Sequence, residues 1–456
     1  MRARCARRAA SRRAARTAVS RPTCRSHRDE ARVDALQPPG MPMNSAPFAW
    51  SIAALATAGV IVRPFGWPEA IWAVAGAVLL VALGLLPADA ALAAVAKGGD
   101  VYPFLTGMML LSEVARREGL FDWVAAHVVN GARGSPRRLF ALVYLVGTVT
   151  TVFLSNDATA VVLTPAVFAA ARRAKTDPLP LLYVCAFVAN AASFVLPISN
   201  PANLVLYGAH MPALGTWLAR FALPSIASIA CTYAMLRATQ RHALRGRCAC
   251  DLPVPSLSAG ARIALAGIAA TAAALMIVSL LDRPLGLPTA LAGALTAACV
   301  LARDRAACGP TLRAISWSVL PLVAGLFVLV EALERTGAVD ALAALLRTLT
   351  AGGTAHAAAA SGVAIALASN LVNNLPAGLV AGAIVGVAHS PQPVVDALLI
   401  GVDLGPNLSV TGSLATILWL AAIRRDGLQV SAGKFLAIGA CVMLPALVAA
   451  LAVRLV

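Results

Sequence analysis

Long apolar runs alternate with short polar links along most of the chain. Four of the longest runs contain no charged residue: Ile71–Leu86, Leu139–Leu154, Ala264–Leu281 and Phe435–Val453. About 20 apolar residues in a helix span the ~30 Å hydrocarbon core of a bilayer. The pattern therefore predicts an all-α polytopic membrane protein with about 10–12 transmembrane segments of this length.

The apolar segments fall into a first half, 47–236, and a second half, 259–456, joined by a polar link at 237–258. They are predicted at 47–64, 70–87, 101–115, 139–155, 158–171, 181–197, 214–236, 260–281, 288–301, 317–333, 354–369, 375–388, 394–402, 413–423 and 434–454. Several are too short to span a bilayer alone. Short segments interrupted by Gly or Pro, in matching places of two halves, are typical of a transporter's substrate site.

The two halves also share residues at a fixed spacing. Four residues recur 218 positions later with the same identity: Gly107, Glu113, Gly119 and Asp122 return as Gly325, Glu331, Gly337 and Asp340. Two further matches follow in the same order: Leu154-Ser155-Asn156 with Ala368-Ser369-Asn370, and the stretch 190–200 with 403–413. Together they predict two inverted-topology repeats with broken helices or re-entrant hairpins.

Composition excludes an ordinary soluble protein. Hydrophobic residues make up 59% of the chain and charged residues only 12%, with a mean hydropathy of +0.79. A soluble domain carries roughly 25% charged residues. The net charge of +17 does not indicate a nucleic-acid partner, because eleven Arg lie in residues 1–40 and most other charges lie in links between apolar runs. This is the Lys/Arg bias that orients membrane proteins, and it predicts that the Arg-rich link 237–258 is cytoplasmic.

Residues 1–46 form a basic N-terminal extension, which we expect to be disordered. The extension has no apolar core of the kind that a secretory signal peptide requires. A start at Met41 or Met43 is expected, since the first apolar segment begins directly afterwards. A transit-like segment is the alternative.

Four polar clusters interrupt the apolar segments: Ser155–Thr159, Ser199–Asn203, Ser369–Asn374 and Asp403–Asn407 running on to Thr411–Ser413. Polar residues are costly in hydrocarbon, so clustered ones normally face the bundle interior or a water-filled path. Small hydroxyl and amide side chains beside Pro or Gly also predict broken helices, whose free backbone groups can bind a ligand. The candidate ligand-binding residues are Asn156, Thr159, Asn200, Asn370, Asn373, Asn374 and Ser413.

Asp157 and Asp403 are the two carboxylates embedded in these clusters. A carboxylate in a partly dry site can load and release a proton or bind a cation, and so couple transport to an ion gradient. For Asp157, capping of a broken helix is the open alternative. Glu113 and Glu331 lie near Arg residues at the ends of their apolar runs, so ion pairs are expected there instead.

The sequence offers little for cofactor or catalytic chemistry. It contains no phosphate-binding Gly-rich loop and no His/Cys metal-ligand spacing, so we expect neither a cofactor nor an enzymatic activity. Cys248 and Cys250 could bind a soft metal as thiolates, but two Cys without further ligands are interpreted as loop residues. If ATP drives transport, a separate subunit must hydrolyse it.

The clusters closely resemble the signatures of the arsenite/antimonite efflux permeases of the ion-transporter superfamily. The resemblance covers roughly residues 47–456. It is carried by the stretches 153–165, 190–200, 369–376 and 401–419. Two positions depart from the family pattern: Pro201 follows Ser199-Asn200, and Asn407 stands where a basic residue is expected.

The resemblance implies efflux of trivalent metalloid hydroxides across the cell inner membrane. Arsenite or antimonite would be the substrate, the seven candidate residues would bind it, and Asp157 and Asp403 would carry the coupling protons. An arsenite-stimulated ATPase subunit and a homodimer are both open as partners, beside the lipid bilayer. The alternatives are a sodium-coupled carboxylate transporter or sodium/proton antiporter on the same scaffold, and a membrane-embedded assembly partner without transport of its own.

Overall fold

A computed structural model describes residues 46–208, 211–249, 251, 253–281, 283–425 and 427–456. Of the sequence predictions, the extension 1–45 and the thiol of Cys250 lie outside the described residues. The described residues form helices and turns, with no strand among them.

The described residues of the first half form eleven α-helices, which we number in chain order. They are α1 (Ala46–Val62), α2 (Glu69–Ala82), α3 (Ala88–Lys97), α4 (Val101–Arg117), α5 (Leu120–Gly131), α6 (Pro136–Leu154), α7 (Asn156–Ala158), α8 (Thr164–Arg173), α9 (Leu179–Ala191), α10 (Pro201–Tyr207) and α11 (Leu214–Thr239). A π-helical turn at Thr159–Leu163 joins α7 to α8.

In the second half, the residues that the structure describes repeat this order with ten α-helices. They are α12 (Ala259–Leu280), α13 (Gly286–Leu301), α14 (Cys308–Ala314), α15 (Val319–Arg335), α16 (Ala338–Ala351), α17 (Thr354–Val372), α18 (Asn374–Ala388), α19 (Gln392–Leu404), α20 (Leu414–Arg425) and α21 (Ala432–Leu455). The helix α18 therefore stands where α7, the π turn and α8 stand in the first half.

Six helical stretches of the described residues are long and apolar enough to cross a bilayer: Pro136–Leu154, Leu214–Thr239, Ala259–Leu280, Arg305–Arg335, Thr354–Val372 and Ala432–Leu455. Five shorter apolar helices accompany them: Ala46–Val62, Glu69–Ala82, Leu179–Ala191, Gly286–Leu301 and Asn374–Ala388. The predicted fold class, an all-helical polytopic membrane protein of two repeats, is confirmed. One predicted segment is too long, because α2 ends at Ala82 and the chain turns at Gly84, where φ is +68°.

Two pairs of helices pack across the boundary between the halves. α4 of the first half packs along α13 of the second, and α15 of the second packs along α2 of the first. Both crossings use the glycines that the repeat preserves, since Gly107 lies against the backbone of Thr289 and Gly325 lies against Ala73. The remaining helices pack mainly with one another, with α17 on α19, α6 on α9 and α11 on α21.

The predicted ion pairs are present at the ends of these two crossing helices. Arg116 donates to Glu113 on α4, with Nη2 2.5 Å from Oε1. On α15, Glu331 accepts from Arg335 at 2.9 Å and from Lys97 of α3 at 2.7 Å.

Candidate functional site

Each half contains a helical hairpin whose tip is a single residue with a left-handed backbone. Ser155 (φ +101°) separates α6 from α7, and Asn373 (φ +75°) separates α17 from α18. Few residues other than glycine adopt a positive φ. The two tips are 218 positions apart, the spacing of the repeat. Both end a long helix inside an apolar segment and begin a second helical arm.

The structure corrects the sequence alignment of these tips. Ser155 was matched with Ser369, but Ser369 and Asn370 lie inside α17, which runs on to Val372. The structural partner of Ser155 is Asn373. The pairs Ser369-Asn370 and Asn373-Asn374 lie four residues apart and have similar compositions. Composition alone cannot show that the first pair is helical and that φ becomes positive at the second.

The second pair of breaks follows α9 and α19. The chain passes through a 3-10 turn in each half, at Pro197–Ser199 and Gly405–Leu408. Asn200 then caps α10, with its Oδ1 accepting from the Ala202 N–H at 3.0 Å. Ser413 caps α20 in the same way, accepting from the Thr416 N–H at 3.1 Å. The predicted match of 190–200 with 403–413 is confirmed by these caps.

The two breaks are joined by hydrogen bonds between the halves. Asn200 Nδ2 donates to Asp403 Oδ1 at 2.7 Å. Asn190 Nδ2 donates to Asn407 Oδ1 at 3.0 Å and lies 3.4 Å from Thr416 Oγ1. All five side chains are buried, and Asp403 is 0% exposed. The sequence-predicted residues Asn200 and Asp403 therefore meet directly.

The second hairpin is tied to the break of its own half. Asn370 Nδ2 donates to the Gly405 carbonyl at 3.0 Å, and its Oδ1 accepts from Ser409 Oγ at 2.8 Å. Asn373 Nδ2 lies 3.4 Å from the Thr411 carbonyl, and the Asn374 N–H donates to the carbonyl of Gly412 at 2.9 Å. Three of the predicted residues are thus held in one network.

The first hairpin has a smaller network. Ser199 Oγ donates to the Val152 carbonyl at 3.0 Å, and Thr159 Oγ1 lies 2.8 Å from Thr151 Oγ1. Asn156 Oδ1 accepts only from the N–H of the next residue, at 2.9 Å. Among the described residues, the structure brings Asn156 and Thr159 into no direct side-chain contact with the Asn200–Asp403 pair.

Asp157 lies at the wall of a narrow cavity of about 80 Å³. Ser155, Pro201 and Leu414 also line this cavity, so it reaches both the first tip and the break that precedes α10. The Asp157 carboxylate accepts no hydrogen bond from another described side chain and caps no described N–H group. The capping alternative for Asp157 is therefore not observed.

A second, wider cavity of about 550 Å³ is lined by the repeat equivalents of the elements around the narrow one, so both halves contribute to each cavity. α10, α15 and α18 line the wide cavity, whereas α20, α4 and the π turn line the narrow one. Lys97, Tyr207 and Glu331 give the wide cavity a polar wall. On α10, Leu204 lines the wide cavity and Pro201 lines the narrow one. The break at Asn200, where α10 begins, therefore lies between the two cavities.

Where the two breaks meet, three fully buried oxygen atoms have no hydrogen-bond partner among the described residues: Asn190 Oδ1, Asn203 Oδ1 and Asp403 Oδ2. The residues are linked through Ser193. Its hydroxyl donates to the Asn190 carbonyl at 2.8 Å and lies beside the Asp403 carboxylate, and its carbonyl accepts from Asn203 Nδ2 at 2.9 Å. An unpaired buried acceptor is costly. Acceptors of this kind suit a ligand that supplies O–H donors, or a cation.

Sequence reasoning did not select Asn190, Asn203 or Thr416 as site residues. The spacing of the second break could have found them, because Asn190 and Asn203 precede Asp403 and Thr416 by 213 positions each. Each of these pairs occupies equivalent places in the two halves. None of the hydrogen bonds that the four side chains make with described residues involves Lys or Arg.

Comparison with known proteins gives a family and a fold. The profile of the family described as citrate transporter matches residues 52–401. In the crystal structure of the Alcanivorax borkumensis YdaH transporter, the matched region covers 81% of this chain and 89% of that one, with a TM-score of 0.55 and 16% identity. The latter likeness concerns the fold alone.

Curated relatives span most of the chain. An arsenical pump membrane protein of Yersinia enterocolitica is 28% identical over 367 residues, which cover 76% of this chain and 85% of the relative. The protein of the same name from Escherichia coli K12 is 28% identical over 365 residues, with the same coverage. An uncharacterized transporter of Mycobacterium tuberculosis is 26% identical over 356 residues, covering 75% and 82%.

Proposed function

We propose that this chain, which belongs to the citrate transporter family, is a secondary transporter that exports trivalent metalloid hydroxides. Arsenite and antimonite leave the cytoplasm across the inner membrane in exchange for protons. The names of the curated relatives, arsenical pump membrane proteins, support this substrate class. An ATPase subunit and a homodimer remain predictions from the resemblance.

The main support for this proposal is the three unpaired acceptor oxygens where the two breaks meet. Arsenous acid is a small neutral trihydroxide at physiological pH, so it offers O–H donors and little charge. A ligand of this kind satisfies Asn190 Oδ1, Asn203 Oδ1 and Asp403 Oδ2 without a cationic partner. A citrate anion would instead need guanidinium or ammonium groups, and the hydrogen bonds around these atoms involve neither among the described residues.

Asn200 and Asp403 form the centre of the proposed site. Asn200 Nδ2 holds Asp403 Oδ1, which leaves Oδ2 to take up a proton or to accept from substrate. The carboxyl group loads a proton from the outer side and releases it to the cytoplasm when substrate binds. Asp157 serves the narrow cavity in the same way.

The remaining proposed residues surround this centre. Ser413 and Asn373 hold the backbone of the break and the tip, and Asn370 and Asn374 join the two. Asn156 and Thr159 contact substrate from the first hairpin in the proposed scheme.

A second candidate function is sodium-coupled carboxylate transport or sodium/proton antiport. The family description, citrate transporter, favours it. The same set of amide and carboxylate oxygens also suits a hard cation such as Na⁺. In this alternative, the oxygens that would otherwise accept hydrogen bonds from the metalloid hydroxide coordinate sodium instead.

Uptake by everted membrane vesicles separates the two functions. Labelled arsenite and labelled citrate are compared under an imposed proton gradient, with and without sodium and a protonophore. The proposal predicts arsenite accumulation that the protonophore abolishes and that sodium does not change. Sodium-dependent movement of citrate, without arsenite uptake, would replace it by the alternative.

A further inference from the structure

The second half contains a large apolar crevice away from the candidate site. Its volume is about 410 Å³, and it lies between α1 and α15 on one side and α16 to α19 on the other. Its walls are apolar except for the hydroxyls of Thr57 and Ser361, and no charged side chain of the described residues lines it. None of the proposed substrate or proton residues contributes to it.

In the first half, the helices equivalent to α16–α19 enclose a much smaller cavity. The equivalent cavity, lined by α5, α6, α8, α9 and the π turn, measures about 10 Å³. Five lining residues correspond at the repeat spacing of 218: Val124, Val128, Val143, Val146 and Leu163 become Leu342, Leu346, Ser361, Ala364 and Ala381.

The difference in volume has a local origin in sequence. At two lining positions α16 carries Leu where α5 carries Val, so the side chains of this wall are larger in the second half. The walls from α17 and α18 are smaller, because Val143, Val146 and Leu163 are replaced by Ser361, Ala364 and Ala381. The small residues on these two walls leave open the space that Val143, Val146 and Leu163 occupy in the first half.

Water does not suit this crevice. An ordered water needs two to four polar partners, and the Ser361 hydroxyl already donates to the Ala358 carbonyl at 3.2 Å. The rim residues Leu342, Leu345 and Leu349 are 44%, 56% and 40% exposed. The crevice is therefore open to the surroundings of the helix bundle, which for a membrane protein are lipid chains.

We propose that the crevice between α16, α17 and α18 binds an acyl chain of a membrane phospholipid. The apolar walls match a hydrocarbon chain, and the open rim at α16 lets a lipid enter sideways from the bilayer. α17 and α18 also carry the tip at Asn373, so the chain packs behind the second hairpin. This inference rests on the fold and does not depend on the transported substrate.

Photolabelling tests the proposal on the full chain. The protein is reconstituted in phosphatidylethanolamine and phosphatidylglycerol vesicles with a trace of phosphatidylcholine whose acyl chain carries a diazirine. After illumination, labelled peptides are mapped by mass spectrometry. We expect the crevice helices α16–α18 to be labelled about tenfold more than their counterparts α5–α8, the factor for burying about two methylene groups. Equal labelling of the two halves would overturn the proposal.

The first repeat supplies a matched variant that fills the crevice. Ser361→Val, Ala364→Val and Ala381→Leu restore its side chains, and we expect them to reduce labelling of α16–α18 by about tenfold. Ala270→Val, at an exposed position of α12, is the control that leaves labelling unchanged. If the triple variant fails to fold, the double variant Ser361→Val and Ala364→Val replaces it. Undiminished labelling in a folded filled variant contradicts the proposal.

Discussion

At the residue scale, the buried amides of this protein divide between supporting the backbone and presenting free oxygens. Asn200 does both, because it caps α10 through Oδ1 and holds Asp403 through Nδ2. Asn373 and Ser413 are engaged as caps. Among the described residues of the candidate site, the unpaired oxygens belong instead to the amides of Asn190 and Asn203 and to the carboxylate of Asp403. Polar clusters in an apolar sequence thus locate a site, but not which of its atoms remain free.

The hairpin tip at Asn373 can be tested by two substitutions of opposite effect. Glycine adopts a φ of +75° without steric cost, whereas a β-branched residue does so only with strain. We expect Asn373→Gly to unfold in detergent near the wild-type temperature. Asn373→Val should lose about 1–3 kcal/mol of stability. Thermal unfolding followed by circular dichroism checks both, and equal stability of the two variants would contradict the assigned backbone conformation.

At the element scale, the packing of helices of one half against helices of the other depends on the close approach of their backbones at glycine. A Cβ atom added to Gly107 would lie 2.2 Å from the Thr289 carbonyl oxygen. Gly293 meets Gly107 from the other helix, with an added Cβ only 2.4 Å from its carbonyl oxygen. Backbone contacts of this kind between small residues are a common way for helices to associate in membranes.

Adding one methyl group should therefore separate α4 from α13. We expect Gly107→Ala to destabilise the protein by about 1–3 kcal/mol, because the contact is with backbone that cannot move aside. Gly386→Ala is the matched control, since no atom lies within 4 Å of its added Cβ. That change should be neutral or stabilise α18 by about 0.5–1 kcal/mol. The contact account fails if both variants unfold at the same temperature.

Hydropathy predicted most helices and missed those that are not uniformly apolar. The bounds of α6, α11, α12 and α21 lie close to the predicted segments, because a long apolar run has few alternatives in a bilayer. Leu120–Gly131 and Ala338–Ala351 were not predicted, since both are short and carry polar residues. The tip at Asn373 was misplaced because its conformation depends on a single φ angle. Hydrogen bonds between halves, such as Asn190 to Asn407, need the tertiary fold.

At the scale of the whole molecule, the two cavities have different sizes and border opposite ends of α4, since Val101 lines the wide cavity and Glu113 lines the narrow one. The link after α11 packs at the narrow end: the Cys248 N–H donates to the Gly134 carbonyl at 3.1 Å and the Ala249 N–H to that of Ala174 at 2.8 Å. That end carries the Arg-rich link 237–258, whereas the wide cavity is lined by Glu331 and Glu334 together with Lys97 and Arg283. The bias of basic residues predicts that the wide cavity opens away from the cytoplasm.

Cysteine labelling tests this orientation. In a cysteine-free background, Ala96→Cys lies at an exposed position on the wall of the wide cavity, and Arg245→Cys lies in the basic link. We expect a membrane-impermeant maleimide to label Ala96→Cys in intact cells. Arg245→Cys should be labelled only after permeabilisation. The reverse pattern would place the wide cavity on the cytoplasmic side and reject the assigned orientation.

The proposed exchange of a proton for a metalloid hydroxide at Asp403 can be measured directly. Liposomes containing the protein are loaded with arsenite and a pH-sensitive dye, then diluted into arsenite-free buffer at equal pH. We expect arsenite to leave while the lumen acidifies, and we expect Asp403→Asn to reduce acidification to the level of protein-free liposomes. Arsenite efflux without acidification, or full acidification with Asp403→Asn, would contradict it.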